Sequence, residues 1–542
     1  MKKVLFNARV YLRRGEFAQA VLIQDDRIAA LGTGEEMLAA AGPGAERIDA
    51  RGQLLLPGFH DSHLHLESAG RLSQTIRLSG LNSVDAIIEE SRKTIARLKP
   101  PVESVVIGWG FDQEAFTGRK QFPTRRDLDR IGTGHPLVII RICGHTVVCN
   151  SRMLEMAGIA ESAPQIEGGK VEIDEEGRPN GVLRENAAAL IWNLLPSPSG
   201  EELRKNLSHA MNAALGCGIT AAASCDIGGP DFHQVTETYG RIYRNGEAPL
   251  RISLQCGIQK DPAWLDEYIK LGLSTGTVLC DPWMKMGPLK LFADGTLGAR
   301  TAWMREPYRD SPETSGLPVT DPAVLREFIQ KAAAHGLQTV THAIGDAAMD
   351  SVISCCEAVT GPGHNPLRHG IIHCQITDGR LLERMAKNNI LALVQPIFLL
   401  HDLYILESRV GGALASTSYA WGSMERLGIR AAYGTDCPVE SLDPLQGIAC
   451  AVTRQDPAAG YPENGFFPEE RVDVYTAVDN YTAGSAWAGF DENRMGRIRP
   501  GALADLVLLD QDIFSIPPGE IHKTKVLCTI VGGELVYGKD AV

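Results

Sequence analysis

Short apolar runs alternate with turn residues at both ends of the chain. Residues 1–53 contain runs such as 20–23 and 27–31 between turns, and residues 496–542 repeat this texture. Such alternation is typical of an antiparallel meander. We therefore expect the two chain ends, 1–53 and 496–542, to form one small β-sandwich domain.

The middle of the chain, residues 54–495, follows a repeated order of strand, loop and helix. One helix is well marked, with Asp321 as N-cap, Pro322 as first helical residue and Gly336 just past the end. Eight short apolar runs that end in polar or glycine residues lie near 54–59, 218–224, 250–256, 288–293, 338–342, 370–374, 391–396 and 430–435. This pattern predicts an α/β fold, a (β/α)8 TIM-like barrel, with its active site at the carboxyl ends of the strands.

One long segment, from about 67 to 217, interrupts this order. It is far longer than an ordinary strand-to-helix connection. It contains strand-like runs at 104–108 and 137–142 and an amphipathic helix near 84–98. We interpret it as an insertion after the first barrel strand, and we expect it to lie over the barrel mouth and help to shape a substrate pocket.

The composition argues against several classes of function. The 542 residues are 44% hydrophobic and 22% charged, which is typical of a folded globular protein. The formal charge of −13 is spread along the chain without a basic stripe, so we expect no nucleic-acid or membrane partner. The chain lacks an apolar stretch of membrane-spanning length, and its 12 cysteines have no regular spacing. These features favour a cytoplasmic protein with reduced thiols.

Two histidines separated by one residue end the first predicted barrel strand, in the sequence LLLPGFHDSHLHL. Because side chains of a strand alternate between its faces, His63 and His65 point to the same side. Two neutral imidazoles that converge can bind a divalent metal ion such as zinc. A His-x-His pair on an exposed strand is the alternative interpretation, although the flanking Pro57, Gly58 and Asp61 favour the metal site.

Four further polar residues end later strands in apolar surroundings: Lys290, His342, His373 and Asp436. Each has an ordinary alternative, since a histidine at a strand end is often a hydrogen-bonded core residue and Lys290 could pair with Asp294. Their joint occurrence at the ends of strands of one predicted barrel favours a common site.

The order His-x-His, Lys, His, His, Asp resembles that of the amidohydrolase superfamily, and the surrounding phrases are similar to its amidohydrolase-3 branch of YtcJ-like proteins. The resemblance covers nearly the whole chain. The phrases that carry it include LPGFHDSHLHL, GWGFDQEAF, CGHTVVCNS, KLFADGTLGARTA, THAIGDAAMD, RHGIIHCQ, GTDCPVESLDP and RIRPGALADLVLLD.

The resemblance implies a centre of two divalent ions, with zinc as the expected metal. The implied ligands are His63, His65 and Asp436 for the more buried ion, His342 and His373 for the second, and Lys290 as a carboxylated lysine that bridges both. A carbamate suits this position because it is an anion, whereas an ammonium group would be repelled by two cations.

The resemblance also implies roles in catalysis. Metal binding would lower the pKa of a water from about 15.7 towards 7, and Asp436 would act as the general acid–base catalyst. His145, in the phrase CGHTVVCNS, could donate a hydrogen bond to the substrate oxyanion. Weaker candidates for the pocket lining are Trp109, Phe111, Asp112, Glu185 and Arg300.

Two positions depart from the family pattern. The strand near 218–226 ends in Cys225 and Asp226 without a histidine, which removes no implied ligand. Ile372 stands before His373, where the branch commonly has an acidic residue. His373 therefore needs another partner to orient its imidazole ring.

The function that the resemblance implies is hydrolysis of a carbon–nitrogen bond in a small amide, N-formyl or cyclic amide substrate. One alternative is a hydrolase with a single metal ion and an unmodified Lys290, acting on esters or deaminating a ring. Another is a metal-binding regulatory protein without turnover. The sequence leaves open the substrate, the metal and the oligomeric state, for which a homodimer would be unsurprising.

Overall fold

The computed structural model of the chain describes residues 2–118, 120–141, 146–166, 169–195, 199–228, 232–258, 262–280 and 283–539. Eight parallel strands follow one another around the (β/α)8 barrel that the sequence predicts. In chain order they are Phe59–Leu64, Ile219–Ile227, Arg251–Gly257, Met284–Phe292, Thr339–Ala343, Gly370–His373, Leu391–Val394 and Ala431–Tyr433. We refer to them below as barrel strands one to eight.

Hydrogen bonds just beyond the last strand connect it to the first. The backbone N–H of Asp436 donates to the carbonyl of His63 at 2.8 Å, and the N–H of His65 donates to the carbonyl of Cys437 at 2.8 Å. These bonds bring the carboxyl ends of strands one and eight together. Barrel helices include Phe232–Arg244, Pro262–Lys270, Pro322–Ala334, Asp346–Glu357, Gly379–Lys387, Trp421–Arg426 and Pro444–Thr453.

The predicted first barrel strand at 54–59 is wrong in its position. Residues Leu54–Pro57 form a separate strand that pairs with Arg9–Arg13 and Leu506–Leu509, and the barrel strand begins at Phe59. The chain passes from one sheet to the other at Gly58, where a side chain would not fit: a Cβ there would lie 2.2 Å from the side chain of Thr220.

The chain ends form two further sheets around a shared core. One sheet contains Arg27–Gly32, Ala20–Gln24, Lys2–Phe6 and Glu46–Asp49, in that spatial order. The other contains Glu534–Tyr537, Val526–Val531, Leu506–Leu509, Leu54–Pro57, Arg9–Arg13 and Glu16–Ala18. Buried residues of both sheets, such as Leu5, Leu55 and Leu508, pack in one cluster. This confirms a β-sandwich, although two of its strand pairs are parallel and a simple meander would have none.

Residues Glu67–Asn206 form a compact unit of their own. Its sheet has the spatial order Gly169–Ile173, Pro179–Glu185, Thr146–Cys149, Leu137–Arg141, Val106–Phe111 and Ile76–Arg77. Its helices include Val84–Leu98, Arg125–Asp129 and Ser151–Met156, and buried residues such as Ile87, Ile139 and Val148 form its core. The inserted unit ends before 217, and helix Gly200–Gly216 precedes barrel strand two.

The helix Pro322–Ala334 confirms the local prediction made for it. The side chain of Asp321 accepts a hydrogen bond from the N–H of Ala323, and Gly336 follows the helix with a φ of 70°. None of the described helices combines the length and apolar character that crossing a bilayer requires.

Candidate metal centre

Three predicted ligands meet where barrel strands one and eight end. The Oδ1 atom of Asp436 lies 3.3 Å from Nε2 of His63 and 3.2 Å from Nε2 of His65. One ligand atom from each of the three residues lies within 4.8 Å of the other two. Two imidazole nitrogens and one carboxylate oxygen at this spacing can bind one divalent ion.

The carboxylate of Asp436 fits a metal ligand for a second reason. The residue is 6% exposed, and its Oδ1 atom is buried without a hydrogen-bond donor among the described residues. A buried carboxylate oxygen without a partner is costly, and a bound cation would satisfy it. The backbone of Asp436 also has a φ of 55°, a left-handed conformation that is uncommon outside glycine and frequent at functional sites.

Hydrogen bonds orient the two imidazole rings towards this carboxylate. The Nδ1 atom of His63 lies 2.6 Å from Oε1 of Gln255, and Nδ1 of His65 lies 3.1 Å from the carbonyl oxygen of Cys225. In both rings Nδ1 therefore carries the proton, which leaves Nε2 as the atom that can bind a metal.

Asp61 fixes the ends of the same two strands. Its carboxylate accepts hydrogen bonds from the N–H of His63 at 3.0 Å and from the hydroxyl of Thr435 at 2.6 Å. Burial raises the pKa of Asp61 to about 7, while these hydrogen bonds oppose the shift. The flanking aspartate noted in the sequence is thus a positioning residue that holds His63 and the segment before Asp436.

Lys290 lies on barrel strand four, with its Nζ atom 3.5 Å from Nε2 of His63 and 5.1 Å from the ring centre of Phe292. The side chain is 1% exposed, and this burial lowers its pKa to about 8. Lys290 does not pair with Asp294, which was the ordinary alternative. The Asp294 carboxylate instead accepts hydrogen bonds from the N–H groups of Trp303 and Gly345 at 2.9 and 2.8 Å.

His342 and His373 lie next to each other, with ring centres 4.4 Å apart, and the ring centre of His373 is 6.2 Å from that of His63. Nε2 of His342 lies 2.9 Å from the carbonyl oxygen of Gly295. Neither histidine belongs to the group of three ligand atoms within 4.8 Å described above. The structure therefore brings the two predicted ligands beside that group without placing their nitrogens in it.

The partner that the sequence left open for His373 is Gln395. Its Oε1 atom lies 2.7 Å from Nδ1 of His373, and the ring of Phe398 stacks on the imidazole at 5.6 Å. Gln395 directly follows barrel strand seven and is 2% exposed. Its side-chain oxygen orients the imidazole ring of His373.

Burial dominates the electrostatics of the histidines. It lowers the pKa of His63 and His373 well below the usual value, and it lowers that of His342 to about 3. Burial also acts against protonation of His65, but the neighbouring carboxylate of Asp436 raises its pKa. Neutral imidazoles are the form that binds a metal, and His65 would release its proton on binding.

The remaining predicted residues lie in the inserted unit or in a barrel connection. His145 lies outside the described residues, so its predicted role stays a prediction. Phe111 is buried in the core of the inserted unit, and Asp112 forms an ion pair with Arg141 at 3.0 Å. Arg300 forms an ion pair with Asp310 at 2.7 Å.

Sequence reasoning missed the two glutamines that orient the histidines. Gln255 and Gln395 each end an apolar run, in ISLQCG and LALVQP, and both are buried. A polar residue at the end of a barrel strand was the signal used for the ligands, and it would have found these residues too.

Comparisons with known proteins agree with this geometry. Residues 46–537 match the family described as "Amidohydrolase family". The putative amidohydrolase YtcJ of Bacillus subtilis is 33% identical over 545 residues, which cover 99% of this chain and 100% of that protein. The N-substituted formamide deformylase of Arthrobacter pascens is 27% identical over 98% of this chain and 97% of its own length. An uncharacterized metal-dependent hydrolase from Pyrococcus furiosus superposes with a TM-score of 0.77 at 26% identity, over 95% of this chain and 100% of that one.

Proposed function

The chain belongs to the amidohydrolase family, and from this we propose that it is a metal-dependent hydrolase of carbon–nitrogen bonds in small amides. The observation that carries the metal dependence is the buried Oδ1 of Asp436, which faces two imidazole nitrogens at 3.2 and 3.3 Å without a donor of its own among the described residues. A divalent cation satisfies all three atoms at once.

His63, His65 and Asp436 would hold the first ion, and His342 and His373 would hold a second. When bound, such ions lower the pKa of a coordinated water and polarise a substrate carbonyl. We expect zinc as the default metal. Imidazole and carboxylate ligands also accept other divalent metals.

Lys290 would bridge the two ions as a carbamate. The pKa of about 8, lowered by burial, leaves part of the lysine as a neutral amine near neutral pH. The neutral Nζ can attack carbon dioxide, which forms an N–C bond, and one proton leaves the nitrogen. The product is an anion, which suits a site between two cations better than an ammonium group.

Asp436 would transfer the proton in the reaction. Its carboxylate would accept a proton as water attacks the amide carbon, and it would then give this proton to the leaving nitrogen when the C–N bond breaks. The hydrogen bond from its backbone N–H to the carbonyl of His63, at 2.8 Å, holds the carboxylate against the first strand.

The substrate class to test first comes from a relative. The Arthrobacter pascens protein acts on N-substituted formamides by name, and it aligns over nearly the full length of this chain. We therefore propose N-formyl amines, together with simple cyclic amides, as the first substrates.

Metal analysis separates the alternatives. The protein is purified without chelator and with added bicarbonate, and divalent ions per chain are counted beside a Lys290→Ala variant. Two ions, reduced by the substitution, support the carbamate-bridged centre. One ion that is unaffected supports a single-metal hydrolase with unmodified Lys290.

A surface variant, Lys387→Ala, is the matched control and should keep the wild-type ion content. Hydrolysis of N-formyl amines is measured on the same samples. Absence of bound metal after loading with zinc, or metal binding without turnover of any amide or ester, would overturn the proposal and favour a non-catalytic binding protein.

A further inference from the structure

A buried arginine with two unbonded guanidinium nitrogens lies in the connection that follows barrel strand seven. Arg409 is part of the short helix Leu406–Val410 and is only 9% exposed. Its Nε and Nη1 atoms are buried and make no hydrogen bond with any residue that the structure describes. A buried guanidinium group without partners is unfavourable, because it loses hydration without compensation.

The acidic groups near Arg409 are engaged elsewhere. Asp310 is paired with Arg300 at 2.7 Å, and Asp402 accepts a hydrogen bond from the hydroxyl of Tyr419 at 2.5 Å. Burial lowers the pKa of Arg409, and the charge of Arg300 lowers it further. The charges of Asp310 and Asp402 act in the opposite direction, but neither carboxylate accepts a hydrogen bond from the Nε or Nη1 atom of Arg409.

Two further arginines stand beside it. The N–H of Arg309 donates to the carbonyl of Arg409 at 2.9 Å, and the Arg309 side chain lies against Gly411, where a Cβ would be 2.3 Å from its Nε. Arg300 is close enough to act on the charge of Arg409. We call Arg300, Arg309 and Arg409 the arginine cluster, in which the ion pair with Asp310 neutralises one charge.

The arginine cluster joins two connections that flank the proposed metal centre. Arg300 and Arg309 follow barrel strand four, which carries Lys290, and Arg409 follows strand seven, which is succeeded by Gln395. Strands five and six, which carry His342 and His373, lie between strands four and seven in the barrel. The backbone bond between Arg309 and Arg409 therefore spans the side of the barrel where these histidines end their strands.

We propose that the arginine cluster binds a carboxylate group of the substrate, with Arg409 as its principal contact. This inference rests on the proposed amide hydrolysis and narrows its substrates to amides that also carry a carboxylate group. A guanidinium group matches a carboxylate in charge and in the geometry of its N–H donors. Arg409 keeps 9% of its surface exposed, and Arg300 and Arg309 add positive charge next to it.

The test uses two compounds that differ in the carboxylate alone, N-formylphenylalanine and N-formylphenethylamine. The kcat/KM of the wild-type enzyme should be higher for N-formylphenylalanine than for N-formylphenethylamine, by a factor on the order of 10 to 100, as a charge-assisted contact allows. In Arg409→Met this ratio should fall to about one, and Arg409→Lys should give an intermediate ratio because the charge remains without the planar fork.

A matched control is Arg380→Met, which removes an exposed arginine that pairs with Asp350 on a barrel helix. This control should keep the wild-type ratio. Arg409→Met should also melt at or above the wild-type temperature, because the substitution removes a buried guanidinium group whose Nε and Nη1 atoms have no hydrogen-bond partner among the described residues. If Arg409→Met fails to fold, the ratio of kcat/KM for the two compounds is measured in Arg409→Lys, and a wild-type ratio there would refute the role of Arg409.

The outcomes separate this inference from the proposed function. If the wild-type enzyme hydrolyses both compounds equally and Arg409→Met does the same, the inference is wrong while amide hydrolysis stands. If neither compound is hydrolysed, the thermal shift decides. Stabilisation of the wild type by N-formylphenylalanine that is absent from Arg409→Met supports carboxylate binding, and no difference between the variants refutes it.

Discussion

Replacing Gln395 by methionine tests how the second half of the metal centre is held. The substitution keeps the approximate volume but removes the oxygen that lies 2.7 Å from Nδ1 of His373. This nitrogen would stay buried without a partner, a change that costs about 1–3 kcal/mol. If His373 binds an ion, the affinity for that ion should fall by roughly 10- to 100-fold, the effect usual for a residue that orients a ligand.

The assay is a titration of metal-free protein with zinc in a competing chelator, which resolves the two binding steps. Gln395→Glu keeps an oxygen in the same place and should recover most of the affinity, and the exposed Gln330→Met on a barrel helix is the control. Two binding steps in Gln395→Met that match those of the wild type would refute the role assigned to Gln395 and to His373.

Three other predictions concern Asp436, the ion pair of Arg251 with Asp505, and His369. Asp436→Asn should lower kcat by about 100- to 10,000-fold, with metal content measured beside it, and near wild-type turnover would exclude Asp436 as the proton carrier. Arg251→Met should lower the free energy of unfolding by about 3–5 kcal/mol in urea, because it leaves Asp505, 2.7 Å away, buried without its partner. Adding Asp505→Leu should restore much of that loss. Burial lowers the pKa of His369 from 6.5 to about 4. Between these values the folded state binds fewer protons than the unfolded state, so the free energy of unfolding decreases as the pH is lowered. The wild type should be about 2 kcal/mol less stable at pH 5 than at pH 8 because of His369, and His369→Gln should lose correspondingly less stability over this range. Identical pH profiles of the unfolding free energy in the two proteins would contradict this.

The small domain and the barrel differ in how well the sequence predicted them. Alternating runs at both ends gave the strands of the β-sandwich, but the predicted strand at 54–59 joined two elements. Leu54–Pro57 and Phe59–Leu64 are both apolar, and periodicity does not tell which sheet each strand enters. The choice depends on pairing with Leu506–Leu509, which lies at the other end of the chain.

Local chemistry in the sequence determined which side chains could form a metal centre. The spacing of His63 and His65 fixes a common side, and each further ligand ends an apolar run, so these choices follow from short-range geometry. The tertiary structure alone decided which atoms they present. Gln255 lies 192 residues from His63, and its contact with Nδ1 leaves Nε2 for the metal. The same holds for Arg409, because its two unbonded nitrogens are evident only in the folded structure, where a distant acid such as Asp310 bonds another arginine. Alternation along the chain encodes the direction of a side chain, whereas its partners depend on contacts between residues far apart in sequence.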